Sequence, residues 1–202
     1  LEDLIRQFVL LWAVIDPIGT LPVFLAVTAS GSAAHNRKIA LVAVGVASLV
    51  LLFFIVAGEI LLESMSIPLS AFQVAGGVVL FVFALSMIFG ESKPEEELHM
   101  VDKGVDSAIF PLAIPSIASP GAMMAVVLLT DNHRFSIVDQ VITTGIVLLI
   151  MLITLLLLLV APFIQKIIGT SGASVISRVM GLILAAVATN SVLEGVQVYF
   201  QL

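Results

Sequence analysis

The 202-residue chain contains no cysteine, which excludes disulfides, thiolate catalysis and cysteine-ligated metals. Charge is almost as scarce: 11% of residues are Asp, Glu, Lys or Arg, against roughly 25% in a soluble domain. No basic stripe is present, so nucleic acid is not expected as a partner. The three histidines, His35, His99 and His133, fall in expected loops without ligand spacing, and no zinc site is read from them. Walker A, Gly-x-Ser-x-Gly and His-Glu-x-x-His patterns are all missing, which leaves ATP hydrolysis and the familiar hydrolase chemistries without machinery. Neither a cofactor nor an enzymatic activity is expected.

What is abundant is apolar sequence: 60% of residues are hydrophobic and the mean hydropathy is +1.24. Such a chain is not a water-soluble globule; its first expected partner is a lipid bilayer. A bilayer core takes about 20 mostly apolar residues per helix, and its dryness makes the backbone bond to itself. Long uncharged runs, rather than alternating ten-residue segments, select helices over a barrel. The expected fold is therefore all-α and polytopic, with six transmembrane spans at Leu4–Ala29, Ile39–Leu62, Leu69–Phe89, Ser107–Thr130, Val138–Ile164 and Ser174–Phe200. The chain starts at Leu1 rather than methionine, so a few native residues are expected before it. Glu2 and Asp3 replace the basic start of a signal peptide, so the first apolar run is expected to be retained as a helix.

The net charge is -6, with about half of the acids near the N-terminus or in the loop Glu91–Asp106. Six spans put Arg37, Lys38, Lys93, Lys103, Lys166 and Arg178 on one side and Arg6 and Arg134 on the other. The excess predicts a cytoplasmic location for the first, third and fifth loops and an outside location for both termini. Residues 91–106, with Pro94 and three consecutive glutamates, are expected to form a solvated cytoplasmic linker between two halves, 1–90 and 107–202.

Those halves share a pattern. At an offset of 105 positions Gly76 meets Gly181, Gly90 meets Gly195, Val82 meets Val187 and Ser86 meets Ser191. Near the same offset Asp16-Pro17-Ile18-Gly19 meets Ser119-Pro120-Gly121. Each half has an odd number of crossings, so the second is expected upside down, as in the inverted repeats of secondary transporters.

Chemistry is expected at two helix breaks. The first span holds Asp16-Pro17-Ile18-Gly19-Thr20-Leu21-Pro22, in which prolines remove backbone bonds and glycine loosens what remains. Asp16 lies near the bilayer midplane, where an ionisable group costs at least ~2.5 kcal/mol; it either caps the second half-helix or serves a solute or ion site, and both roles are compatible. The fourth span repeats the device with Pro111, Pro115, Ser116, Ser119, Pro120 and Gly121. If the breaks meet, Asp16, Thr20, Ser116 and Ser119 enclose a small pocket in which half-helix ends attract anions and freed carbonyls attract cations. The candidate substrate-binding residues are Asp16, Pro17, Gly19, Thr20, Ser116, Ser119, Pro120, Gly121 and Asn190. Asn190 is expected to face the bundle interior, Glu194 to snorkel, Glu59 to lie at an outer helix end, and Gly76-Gly77 to be a close-packing surface.

Together Asp16-Pro17-Ile18-Gly19-Thr20-Leu21-Pro22, Ala57-Gly58-Glu59, Phe110 to Pro115 followed by Ala118-Ser119-Pro120-Gly121, and Met180 to Leu184 resemble the MarC family of bacterial inner-membrane proteins. The resemblance covers essentially the whole chain. It implies six helices in the inner membrane and a relation to lysine-exporter-like transporters, without naming a substrate. The family usually has asparagine in place of Thr20 and glycine in place of Ser119, so a substrate carried over from relatives is not expected to transfer directly. The expected function is transport or export of a small polar, amino-acid-like solute by alternating access, driven by a gradient; the alternative is a non-transporting membrane scaffold or regulatory protein. The coupling ion, and whether the chain forms a homo-oligomer, stay open.

Overall fold

A computed structural model describes residues 2–29, 31–89, 108–132 and 134–200. The linker 91–106, Ser107, Gly90, His99 and His133 lie outside the described residues. Every regular element among the described residues is helical. In chain order they are α1 (Glu2–Ile15), α2 (Thr20–Val27), α3 (Ala33–Ser64), α4 (Leu69–Phe89), an irregular proline segment (Ile109–Ile117), α5 (Pro120–Leu129), α6 (Ile137–Leu159) and α7 (Ala161–Phe200). Among the described residues five stretches are long and apolar enough to cross a membrane, with α1 and α2 forming one of them. The proline segment and α5, bent by 46° at their junction, make a sixth when counted as one span.

Local chemistry explains where these elements depart from the expected spans. Helix α3 begins six residues early because Ser32 caps it, its Oγ accepting from the His35 N–H at 3.3 Å. Helix α6 starts on a capping box in which Ser136 and Asp139 satisfy each other's backbone N–H groups. The expected loop between the fifth and sixth spans is instead helical: α7 runs from Ala161 through to Phe200, interrupted at Gly169, whose φ of 68° suits a residue without Cβ.

The exterior is as apolar as the interior. Leu11, Ile15, Leu51, Leu112, Ile150 and Leu184 are fully buried, yet Val56 is 72% and Ile137 77% exposed. Apolar surface of that extent is covered by acyl chains rather than water.

Within the bundle α4 and α7 approach most closely. A Cβ on Gly77 would lie 2.9 Å from the Ala188 carbonyl oxygen, and one on Gly195 would lie 3.0 Å from the Ser70 carbonyl oxygen. Small residues let backbones touch in this way where no hydrophobic force drives helices together, and Gly77 is the close-packing surface the sequence predicts. Gly76 meets α5 instead, with Met124 in its space.

Candidate functional site

Both helix breaks form, and they meet. Pro17 has no N–H, so the Ala13 carbonyl loses the donor that a continuing helix would supply. The chain turns at Asp16, whose φ is 47°, a left-handed conformation that Asp tolerates when its side chain bonds locally. Asp16 Oδ1 accepts from the Gly19 N–H at 3.0 Å, closing the turn that leads into α2. The Thr20 N–H and Thr20 Oγ1 both donate to the Asp16 carbonyl, at 3.2 and 3.1 Å.

In the second break, Phe110 and Ile114 are extended, as residues before proline prefer. The helix restarts at Ser119, whose Oγ accepts from the Ala122 N–H at 3.1 Å, with Pro120 in the first turn. The two breaks thus use one device: an oxygen-bearing side chain immediately before a proline accepts the N–H three residues on.

Two contacts join them. Ser119 Oγ donates to the Val14 carbonyl at 3.0 Å, and Ser116 Oγ donates to Thr20 Oγ1 at 3.2 Å. A third side chain enters from α7, where Ser177 Oγ donates to Asp16 Oδ2 at 2.8 Å. Asp16, Thr20, Ser116, Ser119 and Ser177 are all at most 2% exposed. The expected open pocket is therefore a filled, hydrogen-bonded cluster. Its carboxylate is neutral-partnered, held by a backbone N–H and a hydroxyl, which suits a group buried in a medium where unpaired polar atoms cost several kcal/mol. Gly19 is fitted to the cluster: a Cβ there would overlap Asp16 Oδ2 and sit 2.6 Å from Ser177 Oγ.

Pro17 and Gly121 are buried beside these groups, whereas Pro120 is exposed. Asn190 belongs elsewhere. It is exposed, and its Nδ2 donates to Glu194 Oε1 at 2.7 Å, so it is corrected from an interior-facing residue to a member of a polar group at the bundle end. Glu59 is buried, and accepts from the Asn132 N–H at 2.8 Å. Ser177 was not among the expected residues, although a signal for it exists: Ser177, Gly181, Leu184, Ala188 and Gly195 recur at helical spacing and are all buried.

Cavities lie on either side of the cluster along the first span. One of about 240 Å³ is lined by Asp3, Arg6, Gln7 and Leu10 of α1 with Gln73, Arg134 and Glu194. The other, about 180 Å³, is lined by Phe24, Leu25 and Thr28 with Asn36, Arg37 and Leu158. Asp16 lies six residues beyond Leu10 and Thr20 one turn before Phe24, so the cluster separates two recesses at opposite ends of one span.

A family model described as MarC family integral membrane protein matches residues 1–200. The chain belongs to the MarC family. Its relatives include the UPF0056 inner membrane protein YhgN of Escherichia coli K12, 30% identical over 201 residues and all of both chains. A UPF0056 membrane protein of Archaeoglobus fulgidus is 30% identical over 192 residues, 94% of this chain and 90% of that one. Another, from Buchnera aphidicola subsp. Baizongia pistaciae, is 28% identical over 200 residues, 99% of each chain. No solved structure matches. This MarC family member is thus an integral membrane protein with several helical spans.

Proposed function

We propose that this MarC family chain is a secondary transporter or exporter of a small polar, amino-acid-like solute in a bacterial inner membrane, working by alternating access. It has no catalytic role in this reading. The carrying observation is that two broken helices from opposite halves of the chain bring Asp16, Thr20, Ser116 and Ser119 into one buried cluster between two end cavities. Broken spans at a repeat interface are the usual setting of a transporter's solute and ion sites. The shared side chain–proline hydrogen-bond pattern supports treating 1–90 and 107–202 as inverted three-helix repeats, and the arginine and lysine bias supports both termini outside. A gradient supplies the energy, and a coupling ion suits Asp16, a carboxylate with no cationic partner among its hydrogen bonds.

The filled state of the cluster favours a second reading, in which these groups only tie helices together in a membrane scaffold. Flux measurements in proteoliposomes separate the two. Asp16→Asn abolishes solute uptake while the melting profile in detergent still shows a folded protein; flux equal to that of the parent chain would remove Asp16 from the mechanism.

A further inference from the structure

The polar face at the start of α1 has no part in the cluster above. Asp3, Arg6, Gln7 and Leu10 line the 240 Å³ cavity from α1, and steps of three and four residues put them on one side of the helix. The polar side chains stand outermost on this face and Leu10 innermost. Leu10 is still about 9 Å along the helix from Asp16 at 1.5 Å per residue, and the interval is sealed by Leu11, Val14 and Ile15, each with no exposed surface. The cavity is therefore separate from the buried cluster.

The charged groups that the other helices bring to this cavity already pair with one another. Gln73 on α4 is buried; its Oε1 accepts from Arg134 Nη1 at 3.1 Å and its Nε2 donates to Glu194 Oε2 at 3.2 Å. Asn190 donates to the other Glu194 oxygen, and Arg134 Nη2 lies 3.7 Å from Glu194 Oε2, so these two charges offset each other. On α1 the reverse holds. Among the described residues the Asp3 and Arg6 side chains enter no hydrogen bond or ion pair, although they stand one turn apart, about 5–6 Å between Cβ atoms. Thr143 Oγ1 donates to Gln7 Oε1 at 2.9 Å, which leaves Gln7 Nε2 as a donor next to Arg6 in the chain. The deep end is apolar: α5 and α7 run toward this end of the bundle, so Leu128 and Val187 lie further in than Arg134 and Glu194, level with Leu10.

We propose that this cavity is a binding site for an α-amino acid with an apolar side chain, held by its head group on Arg6 and Asp3 and inserted side chain first. Such a molecule carries its carboxylate and ammonium on one carbon, a dipole complementary to the uncompensated pair on α1. The carboxylate meets the Arg6 guanidinium, whose fork matches two oxygens, with Gln7 Nε2 beside it. The ammonium meets Asp3, and the side chain covers Leu10, Leu128 and Val187. A carboxylate without an ammonium leaves Asp3 facing a like charge, and an amine without a carboxylate does the same to Arg6, so half of the head group is selected against. Pockets for drug-sized ligands run to about 300–1,000 Å³, whereas 240 Å³ admits a smaller metabolite. The site gives the transport reading its solute class, and its role in passage rests on that reading.

The chain has no cysteine, so Ser191→Cys places a single thiol in the cavity wall. The full chain in lipid nanodiscs, with both faces accessible, is labelled with methyl methanethiosulfonate, which is uncharged and thiol-specific. L-leucine is the probe ligand. It should slow labelling saturably, and the concentration giving half protection reports its affinity. Protection is a ratio of rates with and without leucine, so a change in thiol reactivity caused by a lost charge cancels. Arg6→Gln and Asp3→Asn should each raise the half-protecting concentration about five- to tenfold, the effect of losing one charge-assisted contact at an exposed position. Isocaproate, which is leucine without its ammonium, and isoamylamine, which is leucine without its carboxylate, should need a similar excess. Lys166→Gln, exposed on the far part of α7, should leave protection unchanged. Asp3 and Arg6 are exposed, so their variants should unfold thermally as the parent does. Should Ser191→Cys resist the reagent, Val187→Cys reports in its place. No protection near the solubility limit of leucine, protection unaltered in both charge variants, or isocaproate protecting as well as leucine would overturn the site. Asp16 lies behind the apolar seal and protection is read without flux. Parent-level flux in Asp16→Asn therefore removes the central cluster alone, whereas missing protection beside measurable flux removes this cavity alone.

Discussion

The Ser119 hydroxyl lies 3.0 Å from the Val14 carbonyl oxygen while accepting the Ala122 N–H. One side chain therefore satisfies the freed end of α1 and the orphan start of α5 together. Helix ends inside a bilayer have no water to satisfy them, so this double duty is what allows two breaks to coexist in a dry interior.

Replacing Ser119 tests it. Ser119→Ala loses both bonds and should lower unfolding stability in detergent by about 1–3 kcal/mol. Ser119→Gly loses the same hydroxyl, but glycine is a tolerated cap and lets neighbouring backbone close in. It should cost less than alanine. Equal losses for the two would mean that the cap contributes little.

Glycines separate packing from propensity. Gly77→Leu drives a side chain into the Ala188 carbonyl and Val192, and Gly195→Leu does the same against Ser70 and Val74. Each should destabilise by about 1–3 kcal/mol through overpacking, or prevent folding. Gly145→Ala is the contrast: nothing lies within 4 Å of its would-be Cβ, in the middle of α6, so it should stabilise by about 0.5–1 kcal/mol. Thermal unfolding of the three variants measures both signs.

Gly19→Ala is a third test, of the cluster rather than the scaffold. The added methyl collides with Asp16 Oδ2 and crowds Ser177 Oγ, so the carboxylate cannot hold its position. Solute flux should fall as far as in Asp16→Asn. Alanine scanning of the exposed Pro120 should leave flux near the parent level, because that ring faces away from the cluster. Flux retained in Gly19→Ala would show that transport does not depend on the packed arrangement.

The spans and both breaks were legible because hydropathy reports lipid contact directly and proline reports missing backbone bonds. Asp16, Thr20, Ser116 and Ser119 could be grouped from those signals alone. Ser177 could not, since one serine in a long helix carries no mark of the carboxylate it faces; only the spacing of buried small residues around it points inward. Asn190 was placed wrongly because an amide in an apolar run has two ways to be satisfied, by the interior or by a neighbour one turn on, and Glu194 provided the second. The helical stretch 165–173 was read as a loop because Gly169 and Gly172 resemble loop punctuation, although only Gly169 interrupts the helix.

The Thr20–Ser116 contact gives the last test, because it joins side chains 96 positions apart across the two breaks. Thr20→Val keeps the shape but removes the acceptor for Ser116 and the donor to the Asp16 carbonyl. Ser116→Ala removes the other side. If the contact holds the breaks together, a double-mutant cycle on unfolding stability should show a coupling of about 0.5–1.5 kcal/mol. The double variant then loses less than the sum of the singles, because the second substitution has no partner left to strand. Additive losses would mean that the two hydroxyls are neighbours without mutual dependence, and that the Ser119–Val14 and Ser177–Asp16 bonds carry the tie at the breaks.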